Sequence, residues 1–211
     1  MTTRRIRGLY AITPDLDDTA ELHRRVEACL QGGASVVQYR NKVAGPELRR
    51  EQAADLLALC RAHRASLIIN DHIELCLNID ADGLHVGSDD YPAGGLAQLK
   101  AALGEHKLLG VSCYNRLELA QQAAQKGADY IAFGSCFDSG TKPAAVRASL
   151  ELFTEARHLM DIPVVAIGGI TLSNAAQAIE TGADAIAVIN ALFAAEDITA
   201  TARQFSNLFD E

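Results

Sequence analysis

Eight short β-rich runs alternate with amphipathic stretches along the 211 residues, and this alternation restricts the fold more than any other feature of the chain. The runs lie at 9–13, 35–39, 67–70, 83–86, 108–112, 130–133, 164–167 and 185–189. Helix-like segments fall between them, among them 17–31, 46–63, 116–126 and 173–181. Within 46–63 the apolar residues Leu48, Ala53, Leu56, Leu57 and Cys60 keep to one face, while Arg49, Arg50, Glu51 and Arg61 fall mostly on another.

Several helical segments stop at a glycine, a small residue and then a strand: Gly33-Ala34-Ser35, Gly127-Ala128-Asp129 and Gly182-Ala183-Asp184. Glycine past the last turn takes the left-handed conformation that ends a helix, so each tripeptide reads as a helix-to-strand joint. Runs such as Pro163-Val164-Val165-Ala166-Ile167 are apolar almost throughout, as parallel strands buried on both faces are. Eight βα units in this length predict an α/β protein folded as a single (β/α)8 TIM barrel, one catalytic domain over 1–211. A doubly wound open sheet is the alternative. It seldom uses eight regular units and carries a Gly-rich first turn, where this chain has Thr13-Pro14-Asp15.

Composition narrows the function classes. With 49% hydrophobic and 22% charged residues the chain is not disordered. Its 19 Lys plus Arg against 27 Asp plus Glu give a net charge of -8, which argues against a nucleic-acid partner. Five cysteines without a C-x-x-C pair read as reduced, cytoplasmic thiols rather than a disulfide framework or a zinc site. No apolar run approaches the roughly 18 residues that span a bilayer, so no membrane association is expected. The apolar stretch behind the arginines of residues 1–7 ends at Pro14 and Asp15, too soon for an export signal. A homo-oligomer is left open.

In a barrel the site lies at the C-terminal ends of the strands. Strand two runs into Gln38-Tyr39-Arg40-Asn41-Lys42, where Gln38, Arg40 and Lys42 alternate onto one face and could hold a phosphate or diphosphate. A solvated strand end is the plain alternative. Strand three ends in Asn70-Asp71, for which helix capping is the plain explanation, but strand four is followed by Ser88-Asp89-Asp90. Two acidic strand ends beside a basic cluster suggest a Mg2+-diphosphate site. By strand parity His85 points into the barrel, as a hydrogen-bonded core residue rather than a base. After strand six, Gly134 to Lys142 has the wrong spacing for a P-loop, yet small hydroxyl-rich backbone with a lysine can wrap an anion. Gly168-Gly169 after strand seven and Ile189-Asn190 after strand eight form the usual barrel phosphate site. No nucleophile is paired with a base, and Cys113 and Cys136 read as buried thiols. Such an inventory suits a reaction driven by ionisation and positioning.

Gly8 to Thr13, Gln38 to Lys42, Ile68 to Asp71, Gly83 to Gly87 with Asp90, Gly110-Val111-Ser112, Ser139 to Lys142, Ala166 to Ile170 and Val188 to Asn190 resemble, in order, the motifs of the thiamine phosphate synthase family. The resemblance implies coupling of hydroxymethylpyrimidine diphosphate to a thiazole phosphate, with release of diphosphate. It implies pyrimidine diphosphate contacts from Gln38, Tyr39, Arg40, Asn41, Lys42, Asn70, Ser112 and Lys142, with Arg40, Ser112 and Lys142 at the reacting centre. Mg2+ would be ligated by Asp71 and Asp90, and the thiazole phosphate held by Ser139, Gly140, Thr141, Gly169, Ile189 and Asn190. The chain departs from the family pattern at Ser88, Ser139 and Asn190; Ser139 keeps a hydroxyl and Asn190 a backbone donor. A thiazole tautomerase-like isomerase and a non-catalytic phosphate-sensing barrel are the competing readings.

Overall fold

The computed structural model describes residues 6–87, 91, 95–138 and 146–210. Its strands are β1 Gly8–Ile12, β2 Val36–Tyr39, β3 Ser66–Asn70, β4 Gly83–Gly87, β5 Leu108–Tyr114, β6 Tyr130–Phe133, β7 Val164–Ile167 and β8 Ala185–Val188. Each pairs in parallel with its sequence neighbours and β8 closes on β1, so the described strands form the expected TIM barrel. Around them lie α1 Thr19–Gln31, α2 Pro46–Ala62, α3 Ile73–Asn78, α4 Gly95–Leu103, α5 Leu117–Gln125, α6 Glu151–Leu159, α7 Ala175–Glu180, α8 Asn190–Phe193 and α9 Ile198–Asn207.

Strand alternation divides the apolar residues into two cores. Outward-facing Leu9, Val37, Leu67, Leu84, Leu109, Ile131, Val164 and Ile186 pack under the helices with residues such as Leu22, Leu56 and Phe153. Inward-facing Tyr10, Ile12, Val36, Ile68, Tyr130, Ala132, Val165, Ala185 and Ala187 fill the lumen. Three of the described helices start where capping chemistry predicts: in α1 Asp18 accepts from the Glu21 amide at 3.0 Å, in α9 Asp197 accepts from the Ala200 amide at 2.9 Å, and α2 carries Pro46 in its first turn.

The glycine joints are as read. Gly33, Gly127 and Gly182 have φ of +100°, +93° and +114°. In each case the next residue's amide reaches back to a helix carbonyl, Ala34 to Cys29, Ala128 to Ala123 and Ala183 to Ala178. The same turn is made without glycine at Arg64 (φ +60°) and Asp80 (φ +56°), with Ala65 bonded to Cys60 and Ala81 to Cys76. At three joints the following aspartate also caps the preceding strand, with Asp82, Asp129 and Asp184 accepting from the amides of Leu67, Leu109 and Val164 at 2.9, 2.7 and 2.9 Å. This aspartate device lies at the N-terminal face of the barrel, opposite the strand ends that carry the candidate site.

Candidate active site

The β2 end is built as a braced loop. Thr13, fully buried after β1, accepts from the Arg40 amide at 2.8 Å and donates to the Arg40 carbonyl at 2.9 Å. Asp15 accepts from the Lys42 amide at 2.8 Å and lies 3.3 Å from the Arg40 guanidinium. Arg40 and Lys42 are thereby organised around one carboxylate, with the Lys42 side chain exposed. Tyr39 and Asn41 alternate outward: the Tyr39 hydroxyl and the Asn41 amide donate to Gln52 Oε1 of α2 at 2.8 and 3.2 Å. Gln52, fully buried, also donates to the Leu16 carbonyl at 2.9 Å, so this polar knot is satisfied and anchors the loop from outside the barrel. Of the Gln38 to Lys42 stretch, Tyr39 and Asn41 therefore face the mouth with backbone alone.

At the β3 end Asp71 does not cap a helix. The N-cap of α3 is His72, without a side-chain cap bond. Asp71 instead sits at φ +61°, its amide donating to the His85 carbonyl at 2.9 Å and its carboxylate accepting from Asn70 Nδ2 at 2.7 Å. The carboxylate is half-buried and oriented by a neighbour, as ligating carboxylates are. Among the described residues no group of three or more His, Cys, Asp or Glu side chains is placed to hold a metal.

Gln38, His85 and Ser112 face the lumen and belong to one buried network. Gln38 Nε2 donates to the Tyr10 hydroxyl at 2.8 Å, Tyr10 meets Tyr130 at 2.8 Å, Tyr130 meets His85 Nδ1 at 3.1 Å, and His85 Nε2 meets Ser112 Oγ at 2.8 Å. Burial pushes the His85 pKa down from 6.5 to about 4. His85 is thus the hydrogen-bonded core residue expected from parity, and it also touches the mouth through Ser112. Because the folded pKa lies below the unfolded one, the neutral ring contributes stability that is fully present above pH 6.5 and is lost as pH falls toward 4, about 3 kcal/mol in total. Urea midpoints measured from pH 7 to 4 should therefore fall more steeply for the wild type than for His85→Gln; parallel curves would remove His85 as the cause.

The loops after β6 and β7 are packed on one another. Gly168 and Gly169 have φ of +99° and +65°, and a Cβ on Gly169 would lie 2.4 Å from the Asp138 carbonyl oxygen. Asn174 braces the turn from behind, donating to the Gly169 carbonyl at 3.0 Å and accepting from the Thr171 amide at 2.8 Å. Ile189 is half-buried at the β8 end, and Asn190 opens the short helix α8.

The described part of the predicted set therefore gathers on one rim: Gln38, Arg40, Lys42, Asn70, Asp71, Ser112, Gly169, Ile189 and Asn190 all stand at or just beyond strand C-terminal ends. Ser88, Asp90, Ser139, Gly140, Thr141 and Lys142 lie outside the described residues. Thr13, Asp15, Tyr10 and Tyr130 were not anticipated. The first two follow β1 as Arg40 follows β2, and the tyrosines sit at lumen parity, so the same rules could have found them. All five cysteines are buried free thiols, and burial raises Cys113 to about 12 and Cys136 to about 11, far from nucleophilic.

Known proteins share this sequence and this barrel. A family model described as "Thiamine monophosphate synthase" matches residues 9–192. The chain is 56% identical over 205 residues to a thiamine-phosphate synthase of Methylobacillus flagellatus, covering 97% of this chain and 96% of the other. It is 49% identical over 210 residues to one from Aromatoleum aromaticum, covering both chains in full. The solved structure of a thiamine phosphate pyrophosphorylase from Pyrococcus furiosus superposes with a TM-score of 0.84 at 33% identity, covering 98% of this chain and 97% of that one. With a family match spanning nearly every barrel unit and relatives of this identity along nearly the whole chain, the chain belongs to the thiamine monophosphate synthase family.

Proposed function

We infer that this chain is a transferase that couples 4-amino-2-methyl-5-hydroxymethylpyrimidine diphosphate to 4-methyl-5-(2-phosphoethyl)thiazole, forming thiamine phosphate and releasing diphosphate. The observation that carries this reading is the family match along nearly the whole chain, and the position of Arg40, Asn70, Asp71 and Ser112 at or near strand C-terminal ends supports it. Arg40 and Lys42 bind the diphosphate together with Lys142, and their charge offsets the charge that grows on it as the C–O bond to the pyrimidine methylene breaks. Ser112 holds the pyrimidine, whose amino group stabilises the cation left behind, and the thiazole nitrogen then attacks that carbon. Gly169, Ile189 and Asn190, with Ser139, Gly140 and Thr141, hold the thiazole phosphate. Their role is to keep the two rings at attack distance. No protein nucleophile is called for, in keeping with the inert thiols.

Asp71 fits a hard cation: its carboxylate is half-buried at a strand end and oriented by Asn70, and a Mg2+ ion takes only one or two carboxylates beside water and phosphate oxygens. Asp71 and Asp90 would hold it. When bound, Mg2+ supplies neutralisation of the diphosphate oxygens. Free buried thiols suit a reducing, cytoplasmic setting.

Incubating the purified chain with both substrates and Mg2+ should yield thiamine phosphate and diphosphate in equal amounts. Folded protein that forms neither would refute the synthase reading. Conversion of the thiazole alone would indicate an isomerase, and phosphate binding without turnover a sensor. Neither alternative draws support from the family match or the relatives.

A further inference from the structure

The hydroxyl of Ser112 has one proton and two ways to use it, and the lumen network decides between them. Gln38, Tyr10, Tyr130 and His85 are 4%, 1%, 0% and 8% exposed, so no bulk water is at hand to satisfy a stray donor or acceptor. The Gln38 amide donates to the Tyr10 oxygen, which leaves the Tyr10 proton to the Tyr130 oxygen. The Tyr130 proton then goes to His85 Nδ1, which must be the bare nitrogen of the ring. A neutral imidazole so arranged carries its proton on Nε2 and donates it to Ser112 Oγ. In the opposite sense the Tyr10 oxygen would receive protons from both Gln38 and Tyr130. Its own proton would then have no partner among the side chains of this buried network, which is the costlier arrangement.

We propose that Gln38, Tyr10, Tyr130 and His85 are positioning residues that fix the direction of the Ser112 hydroxyl, making Ser112 a committed hydrogen-bond donor to a ring nitrogen of the heteroaromatic substrate. The identity of that ring rests on the coupling reading above. The polarity of the relay does not, because it follows from the orientation of the Gln38 amide at the head of the relay. The chain thereby selects a ring with an acceptor at that point and discriminates against one presenting C–H or N–H there.

Two measurements on the full chain test this. Long-range 1H–15N correlation spectra without substrates should show His85 protonated on Nε2 and bare on Nδ1, a bias that Tyr130→Phe removes. Binding of the pyrimidine diphosphate should be about tenfold tighter than that of one of its two single nitrogen-to-CH analogues, and both Ser112→Ala and Tyr130→Phe should bring that ratio close to one. Should Tyr130→Phe not fold, Tyr10→Phe cuts the same relay one hydroxyl earlier. A wild-type His85 protonated on Nδ1 overturns the proposal. So does equal binding of both analogues and the parent, or an undiminished ratio in the folded phenylalanine variant. The product assay is independent: correct tautomer and ratio with no thiamine phosphate formed would sink the synthase reading and leave the relay standing.

Discussion

Asp71→Asn should lower turnover by about 10²–10³-fold while leaving the fold intact, the loss typical when a preorganised electrostatic contact is removed. Asparagine is the informative replacement. Asp71 sits at φ +61°, and Asn is among the few residues that enter the left-handed region readily, so the strand end keeps its shape and only the charge is lost. Alanine would add backbone strain of about 1 kcal/mol or more and confuse the two effects. Rising Mg2+ should partly restore the variant, because a site missing one carboxylate binds the cation more weakly. Steady-state kinetics across a Mg2+ series read both outcomes. Wild-type kcat with unchanged Mg2+ dependence would remove Asp71 from the metal assignment.

Gly110→Ala should cost about 3 kcal/mol of stability, the upper range for forcing extra volume into a packed core. Gly110 lies in β5 between His85 and Tyr130 in the strand register, and a Cβ there would stand 2.0 Å from Cζ and 2.3 Å from the hydroxyl of Tyr130. Tyr130 has nowhere to go. It is fully buried, hydrogen-bonded to Tyr10 and His85, and set edge-on to the Tyr10 ring at 6.1 Å between centroids. In a chain of this length the loss corresponds to a fall in Tm of about 6–12 °C. The double variant Gly110→Ala with Tyr130→Ala should be less destabilised than the two singles added together, since removing the ring relieves the collision. Additive losses measured by urea unfolding would show that the collision is not the cause.

Particular residues show how far sequence reading reached. All eight strands were legible because parallel strands buried on both faces are short apolar runs, and their ends were read to within a residue or two. Glycine marked three helix-to-strand joints, but the equivalent turns at Arg64 and Asp80 were invisible, since their left-handed conformation is imposed by the packing of α2 on β3 and α3 on β4 rather than announced by residue type. The helix-capping alternative for Asp71 was natural for a carboxylate after a strand, and failed because α3 starts one residue later and Asn70 claims the carboxylate. Tyr39 and Asn41 sit inside a convincing polar motif, yet strand alternation turns both side chains outward to Gln52.

Periodicity and strand-end chemistry were enough to establish the barrel, the order of its units and the rim on which Arg40, Asn70, Asp71 and Ser112 stand, because alternation assigns each residue to a face and the fold assigns each face an environment. Which side chains meet inside the lumen was decided only by barrel closure. Tyr10 and Tyr130 are 120 residues apart and lie on strands that are not hydrogen-bonded to each other, yet their hydroxyls are 2.8 Å apart. A one-dimensional pattern says that a residue points inward. Distance across the barrel, set by strand register and by the space left at Gly110, says what it finds there.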